Sequence, residues 1–186
     1  MKLNIGCGRN AMDGWVNIDS VDLPGVDIVF DLDNCANTRM MLADDSVDEF
    51  MLSHVIEHIH NPLPLMQELH RIAKPHAKLT VLCPYGSSDD ADEDPTHVRR
   101  YFKGSFGYFG QPYYWRADYG YRGDWDIGRI LLYLNPPWTG TDRDAQLEAI
   151  NHQRNVVREM MCEMYAIKPV RPPLRELQVY PNIVMV

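Results

Sequence analysis

The sequence lacks the features of a membrane or secreted protein. It contains no run of about 18 apolar residues, so no membrane-spanning helix is predicted. Its four cysteines are far apart and include no C-x-x-C pair. This spacing favours a reduced, cytoplasmic protein over a disulfide framework or a zinc finger. The N-terminus has no basic segment followed by an apolar core, so we expect no signal peptide.

Positive charge is also in short supply. The chain has 18 lysines and arginines against 26 aspartates and glutamates, a net charge of −8. An acidic chain is a poor general partner for nucleic acid, so none is expected here. The balance is uneven, because residues 97–130 carry six basic and three acidic side chains, whereas residues 1–96 are strongly acidic. Residues 97–130 are therefore the part best suited to an anionic ligand.

The apolar pattern predicts an α/β domain over residues 1–186. Short apolar segments alternate with crossovers, which is typical of a parallel sheet. The predicted strands are residues 2–5, 15–19, 27–30, 48–53, 78–82 and 126–134, with β character again at 176–180 and 183–186. One helix is predicted to begin at Asn61-Pro62 and end at Lys74-Pro75. A second, longer helix is predicted from Thr141 through Met164, with Met160, Met161 and Met164 filling gaps in the core.

The most informative segment is residues 1–19. A first strand runs into Gly6-Cys7-Gly8, and a second strand ends at Asp19. Glycine has no Cβ and tolerates unusual φ, so a ligand can approach the backbone of such a turn closely. A carboxylate at the tip of the next strand can accept two hydrogen bonds from ribose hydroxyls. Together they predict a pocket for a nucleoside-bearing cofactor.

The early crossovers are unusually short. Only about ten residues separate the first two predicted strands, and a parallel crossover usually needs a dozen or more. The helices there must be short or missing. One face of the sheet should then be left thinly covered by helices, and we expect another segment or a partner chain to cover it.

The sequence resembles a class I S-adenosylmethionine-dependent methyltransferase. Six segments carry the resemblance in the family's order: Leu3–Gly8, Trp15–Asp19, Asp31–Asp33, Asp44–Phe50, Ser53–His58 and Leu69–Leu82. It implies a Rossmann-like three-layer sandwich with a mostly parallel seven-stranded sheet, in the order 3-2-1-4-5-7-6, and shortened early helices. It also implies S-adenosylmethionine as cofactor, with S-adenosylhomocysteine as product. Residues 1–86 would form the cofactor-binding half, and residues 87–186 an acceptor-binding cap with the last strands.

The resemblance assigns roles around the cofactor. The glycine turn should pass under the methionine half, with Arg9 holding its carboxylate where the shortened helix does not. Asp19 should hold the ribose, and Asp31 with Leu32 should meet the adenine. The backbone after the fourth strand should line the sulfonium. The full predicted set is Gly6, Cys7, Gly8, Arg9, Asp19, Asp31, Leu32, Ser53, His54 and Val55.

The acceptor is expected to be a small or anionic, sugar-phosphate-like molecule. Arginine side chains suit phosphate or carboxylate, and aromatic faces suit sugars or bases. Residues 101–125 are crowded with aromatic rings, which equally could pack over the thinly covered sheet face. The predicted acceptor contacts are Tyr85, His97, Arg99, Arg100 and Trp115. If the acceptor must lose a proton, the candidate bases are His97 and His54, followed by His58.

Three alternatives remain open. His54-Val-Ile-Glu57-His58 has the H-x-x-E-H spacing of an inverted zinc-peptidase helix, but the segment falls where a strand and its loop belong, so no metal is expected. Asn135-Pro-Pro-Trp138 resembles the motif of adenine amino-group methyltransferases, although it follows a later strand than it does there. The third alternative is a non-catalytic binding protein on the same fold. The oligomeric state stays open.

Overall fold

A computed structural model describes residues 1–186. Eight strands form one sheet: β1 Lys2–Ile5, β2 Val16–Asp19, β3 Ile28–Val29, β4 Val47–Ser53, β5 Ala73–Pro84, β6 Trp125–Leu134, β7 Val157–Ala166 and β8 Asn182–Met185. Their order in the sheet is β3-β2-β1-β4-β5-β7-β6-β8. All neighbours are parallel except β7, which runs antiparallel to β5 and β6. The predicted strand order and antiparallel strand are confirmed, and β8 adds an eighth strand beside β6.

Three α-helices accompany the sheet: α1 Pro62–Ile72, α2 Asp90–Glu93 and α3 Arg143–His152. Helix α1 begins as predicted, because Pro62 fits the first helical turn, but it ends at Ile72, before the predicted Lys74-Pro75, where β5 has already begun. Short 3₁₀ turns lie at Leu32–Ala36, Ile56–His58, Ser105–Phe109, Gln111–Tyr114 and Arg175–Leu177. No helix of the structure has the length and apolar character needed to cross a bilayer.

The hydrophobic core lies between one face of the sheet and α1. Leu3, Phe50 and Leu79 are in register across β1, β4 and β5, and all three are fully buried. The Trp125 ring meets Phe50 edge-on at 6.0 Å, and its Nε1 donates to the Met66 carbonyl of α1 at 3.0 Å. We call this side of the sheet the α1 face. Burial of these apolar side chains stabilises the fold.

The opposite side of the sheet, here called the open face, is polar and lacks helices beside the first strands. Asn4, Met51, Thr80, Glu163 and Arg129 follow one another in register across five strands of this face. Residues 6–15 contain no helix, and they cover β1 and β2 as a loop. The predicted lack of helices after the first strand is therefore observed.

One interpretation of the sequence was that the aromatic rings of residues 101–125 pack over the thinly covered sheet face. In the structure they do not cover the open face. Tyr101 donates to the Ile56 carbonyl at 3.3 Å, and Trp125 packs on Phe50 of the α1 face. Six of these rings are buried in the core on this side: Tyr101, Phe106, Phe109, Tyr114, Tyr121 and Trp125. They extend the core beyond α1.

Two predictions about the C-terminal part are wrong. The long helix predicted from Thr141 through Met164 is instead α3 followed by β7. In β7, Met160 and Met164 alternate with open-face residues and are fully buried, so their predicted core role holds in a strand rather than a helix. Residues 176–180 are not a strand, because this segment makes only the 3₁₀ turn Arg175–Leu177.

Candidate cofactor and acceptor site

The carboxyl ends of β1, β2 and β4 bring the predicted cofactor residues to one edge of the sheet. Gly6 and Gly8 adopt φ of 64° and 52°, a region in which other residues are strained. A Cβ on Gly6 would lie 2.5 Å from a Cγ of Val55. The turn after β1 thus packs directly on the chain that follows β4, and only glycine fits at this contact.

Asp19 links the end of β2 to this turn. Its Oδ2 accepts a hydrogen bond from the Gly8 amide at 2.7 Å, and its Oδ1 accepts one from the Val21 amide at 3.1 Å. Each carboxylate oxygen can accept a second hydrogen bond. Because Asp19 is only half-buried, that capacity is open to a ligand.

Asparagines hold the loop of residues 6–15 where the family has a helix. Asn4 Nδ2 donates to Asn17 Oδ1 and to the Asn10 carbonyl, both at 2.9 Å. Asn17 Oδ1 also accepts from the Met12 amide at 2.8 Å. Buried polar side chains fix a loop well when their hydrogen bonds are satisfied. Arg9 projects from this loop, exposed and without an ion pair, so its guanidinium is free for an anionic group.

The remaining predicted cofactor contacts flank the turn. Cys7 is buried, and burial raises the pKa of its thiol, so it is a packing residue of the turn. Asp31 caps the 3₁₀ turn that follows it by accepting from the Asp33 amide at 3.0 Å. Leu32 is buried beside it, whereas Ser53 at the end of β4 is exposed.

His54 follows β4 with a φ of 54°, and its ring lies between two carboxylates. Its Nδ1 is 3.4 Å from Glu57 Oε1, and its Nε2 is 3.2 Å from Glu159 Oε1 of β7. The Glu57 carboxylate raises the pKa of His54 above its ordinary value, against the opposing effect of burial. Its imidazole is 42% exposed.

The H-x-x-E-H spacing does not lie on a helix. His54 directly follows β4, and Glu57 and His58 belong to the 3₁₀ turn Ile56–His58. The peptidase arrangement needs both histidines on one helical face, and that helix is missing.

His97 reaches the same edge from the loop after α2. Its imidazole is 8% exposed and packs against the His58 ring at 4.7 Å between centroids. Ligand atoms of Glu57, His58 and His97 all lie within 4.8 Å of one another. The sequence linked His54 with His58 by spacing alone, and it gave no signal that His97 joins Glu57 and His58 across 39 residues of chain.

Arg99 and Arg100 line a cleft of about 580 Å³ together with Tyr101, Tyr108 and Tyr119. Arg99 donates to the His60 carbonyl at 3.0 and 2.6 Å, and Arg100 pairs with Asp92 at 2.5 Å. The cleft continues toward a larger cavity of about 700 Å³ between α1 and residues 119–122, which does not reach Gly6 or Asp19.

The structure does not bring all predicted acceptor contacts together. Tyr85 lines a separate cleft with Phe102 and Lys103. Trp115 is 4.5 Å from the Arg116 guanidinium and 5.3 Å from that of Arg175, away from Arg99.

The Asn135-Pro-Pro-Trp138 segment forms a turn after β6. Asn135 Nδ2 donates to the Asn155 carbonyl at 3.0 Å, and the Trp138 amide donates to the Asn135 carbonyl at 2.9 Å. The amide side chain is therefore used inside the turn, which favours a structural role for this motif.

Comparison with known proteins agrees with this geometry. Residues 3–81 match the family model for a methyltransferase domain. The chain has the fold of the class I, Rossmann-like methyltransferases. The family match and the structural neighbours indicate S-adenosylmethionine as the cofactor. No curated protein matches the sequence at a significant level.

Solved structures share the methyltransferase fold at low sequence identity. A SAM-dependent methyltransferase from Archaeoglobus fulgidus has a TM-score of 0.62 at 15% identity, over 88% of this chain and 85% of that one. A possible histamine N-methyltransferase from Thermotoga maritima has a TM-score of 0.55 at 14% identity, over 90% and 82%. A Haloferax volcanii methyltransferase, solved with the Trm112 activator, has a TM-score of 0.53 at 14% identity, over 89% and 82%. At these identities the likeness establishes the fold of the chain and no more.

Proposed function

We propose that the protein transfers the methyl group of S-adenosylmethionine to a small or anionic acceptor. The observation that supports this most directly is the pairing of Asp19 with the Gly8 amide. It sets a carboxylate for ribose hydroxyls beside a glycine backbone that a ligand can approach closely. The adjoining Val55 closes the turn from the β4 side.

The chain's contribution to the reaction is alignment and exclusion of water. Methyl transfer is a displacement at the sulfonium carbon, so the acceptor atom must stand in line with the bond that breaks. Asp19 would fix the ribose, and Arg9 would fix the carboxylate of the methionine part. Asp31 and Leu32 would border the adenine. The chain at Ser53, His54 and Val55 would then border the reacting methyl group.

The cleft lined by Arg99 and Arg100 is the proposed acceptor site. Arg99 and Arg100 stand beside tyrosine rings there, a combination that suits a phosphate or carboxylate on a ring-bearing molecule. A base is needed only where the acceptor atom carries a proton. His54 and His97 both lie at the edge of the sheet formed by the carboxyl ends of β1, β2 and β4. Their role as bases stays a prediction.

Product formation tests the proposal. The protein would be incubated with S-adenosylmethionine and a panel of phosphorylated sugars, carboxylic acids, amines and a duplex oligonucleotide. We expect S-adenosylhomocysteine to accumulate with at least one small anionic acceptor and not with the oligonucleotide. Cofactor binding without turnover on any of them would instead favour a non-catalytic binding protein.

A further inference from the structure

Glu57 is a buried carboxylate without a hydrogen-bond partner. Only 2% of the residue is exposed, and neither carboxylate oxygen accepts a hydrogen bond. Its one ionic partner is His54, whose Nδ1 lies 3.4 Å from Oε1 without hydrogen-bond geometry, and Oε2 has no partner at all. An ionised carboxylate is costly to bury unless it is paired or coordinates a metal. The site around Glu57 therefore favours a bound cation.

Two histidines supply the other donors. One ligand atom from each of Glu57, His58 and His97 lies within 4.8 Å of the other two. In a tetrahedral zinc site with bonds of about 2.1 Å, ligand atoms stand about 3.4 Å apart. The ligand atoms must therefore move together by up to about 1.4 Å. His58 is partly exposed and can make that movement by rotating its side chain.

The hydrogen bonds of His58 orient its ring for metal binding. The Thr96 hydroxyl donates to Asp94 Oδ1 at 2.6 Å, so its oxygen is left to accept from His58 Nδ1 at 3.0 Å. The Thr96 carbonyl, 3.2 Å from the same nitrogen, is also only an acceptor. With the proton held on Nδ1, the lone pair is on Nε2. Metal-binding histidines use this arrangement, in which the second nitrogen donates to a carbonyl or carboxylate.

His97 has a similar arrangement. Its Nδ1 faces the Ala91 carbonyl at 3.4 Å, which again favours the proton on that nitrogen. Its Nε2 has no closer acidic neighbour than Asp94 Oδ2, at 3.8 Å. The lone pair of Nε2 is therefore available to a cation beside Glu57.

We propose that Glu57, His58 and His97 bind one divalent transition-metal ion, of which Zn²⁺ is the type. Two imidazoles and one carboxylate are a common donor set for such ions, and three protein ligands leave a coordination position open. This site differs from the zinc-peptidase interpretation of the sequence, in which His54 and His58 would be the histidine ligands. Here His97 takes the place of His54. The site also departs from the expectation that the chain holds no metal.

The location of the metal site indicates which kind of ligand would fill its open coordination position. Glu57 is two residues beyond Val55, which the proposed function sets beside the reacting methyl group. An oxygen atom of the acceptor is the donor class that fits there, and this part of the inference rests on the proposed function. His97 would then be a ligand rather than a base.

Metal titration of the chelator-treated, tag-free protein tests the site without any cofactor or acceptor. Zn²⁺ binding would be followed by calorimetry and Co²⁺ binding by visible absorption. We expect one ion per chain. Glu57→Gln, His58→Ala and His97→Ala should each weaken binding at least about tenfold. His76→Asn, at the opposite edge of the sheet, should bind like the unmodified protein.

Circular dichroism would show that each variant is folded before it is titrated. Absence of stoichiometric binding by the unmodified protein, or equal binding by the Glu57, His58 and His97 variants, would overturn the proposal. Binding lost in His54→Asn but kept in Glu57→Gln would also overturn it. Because S-adenosylhomocysteine binding is measured separately, a missing metal leaves the methyltransferase proposal standing.

Discussion

The amide of Gly8 donates to the carboxylate of Asp19 at 2.7 Å, joining the turn after β1 to the tip of β2. This hydrogen bond fixes the turn from one side, and the contact between Gly6 and Val55 fixes it from the other. Where related proteins have a helix after this turn, this chain has a loop held by Asn4 and Asn17. The rigidity of the turn therefore comes from side-chain hydrogen bonds and close packing.

Gly6→Ala should destabilise the protein more than Gly14→Ala does. Both residues have positive φ, but a Cβ at Gly14 meets nothing within 4 Å, whereas one at Gly6 would clash with Val55. The two variants share the backbone strain and differ in the clash, which we expect to cost about 1–3 kcal/mol. Urea unfolding measures the difference. Equal losses would mean that Val55 yields without cost and that the turn is not tightly packed.

Asp124→Asn should lower the free energy of unfolding by about 3 kcal/mol or more. Asp124 is fully buried and accepts from Arg171 at 2.8 and 2.9 Å and from the Gln111 amide at 3.1 Å. The uncharged amide of the substituted side chain would leave the Arg171 guanidinium partly unpaired. Its NH₂ group would also face the N–H donors of Arg171 and Gln111. Asp118→Asn, which breaks an exposed pair with Arg122, should cause no measurable loss in the same urea titration. Similar stability of the two variants would contradict this account.

The acid stability of the sheet should depend on Glu163 of the open face. Its carboxylate pairs with Arg129, and with Lys78 at 2.6 Å. The Arg129 hydrogen bond leads in lowering the pKa of Glu163 below its ordinary value of 4.5, with burial opposing. Since the folded pKa is the lower one, this contribution is fully present above the ordinary value and is lost as the pH falls through the folded pKa. Unfolding free energies of the protein and of Glu163→Gln should therefore differ at pH 7 and converge in acid. If the difference in unfolding free energy between the two proteins did not change with pH, the ionisation of Glu163 would not contribute to acid stability.

Arg99→Ala combined with Arg100→Ala should leave S-adenosylhomocysteine affinity unchanged. The same change should raise the KM for an anionic acceptor about tenfold to a hundredfold, since a hydrogen bond to a charged group contributes about 1.5–3 kcal/mol. Arg116→Ala, whose guanidinium stacks on Trp115, is the matched control. Calorimetry and steady-state kinetics separate the two effects. Weaker cofactor binding in the double variant would assign these arginines to the wrong site.

The N-terminal half was predictable because its signals are local. The apolar runs of β1, β2 and β4, the turn at Gly6 and Gly8, and Pro62 at the start of α1 each act within a few residues. The strand order came from the family resemblance. The β7 segment was predicted as a helix because the methionines at 160, 161 and 164 fit helical spacing, although 160 and 164 fit strand alternation equally well. Its strand identity depends on pairing with β5 and β6, which lies outside any local window.

The site was predictable only in part, for a similar reason. Gly8 and Asp19 occur close together in the sequence, so their meeting could be expected. His97 reaches Glu57 and His58 only because the segment after α2 folds back, with the Val98 and Arg99 amides donating to the Glu57 carbonyl at 2.9 and 3.1 Å. That return path has no signature in the sequence. Nor does the pairing of Asp124 with Arg171.

The central claim is that Asp19 and the glycine turn bind the adenosyl group, and calorimetry with S-adenosylhomocysteine tests it most directly. Asp19→Asn can still accept from the Gly8 amide but loses a charged acceptor for the ribose, so we expect about tenfold to hundredfold weaker binding. Asp22→Asn, an exposed aspartate three residues further on, should bind like the unmodified protein. No heat from the unmodified protein at saturating ligand, or identical binding by Asp19→Asn, would contradict the account.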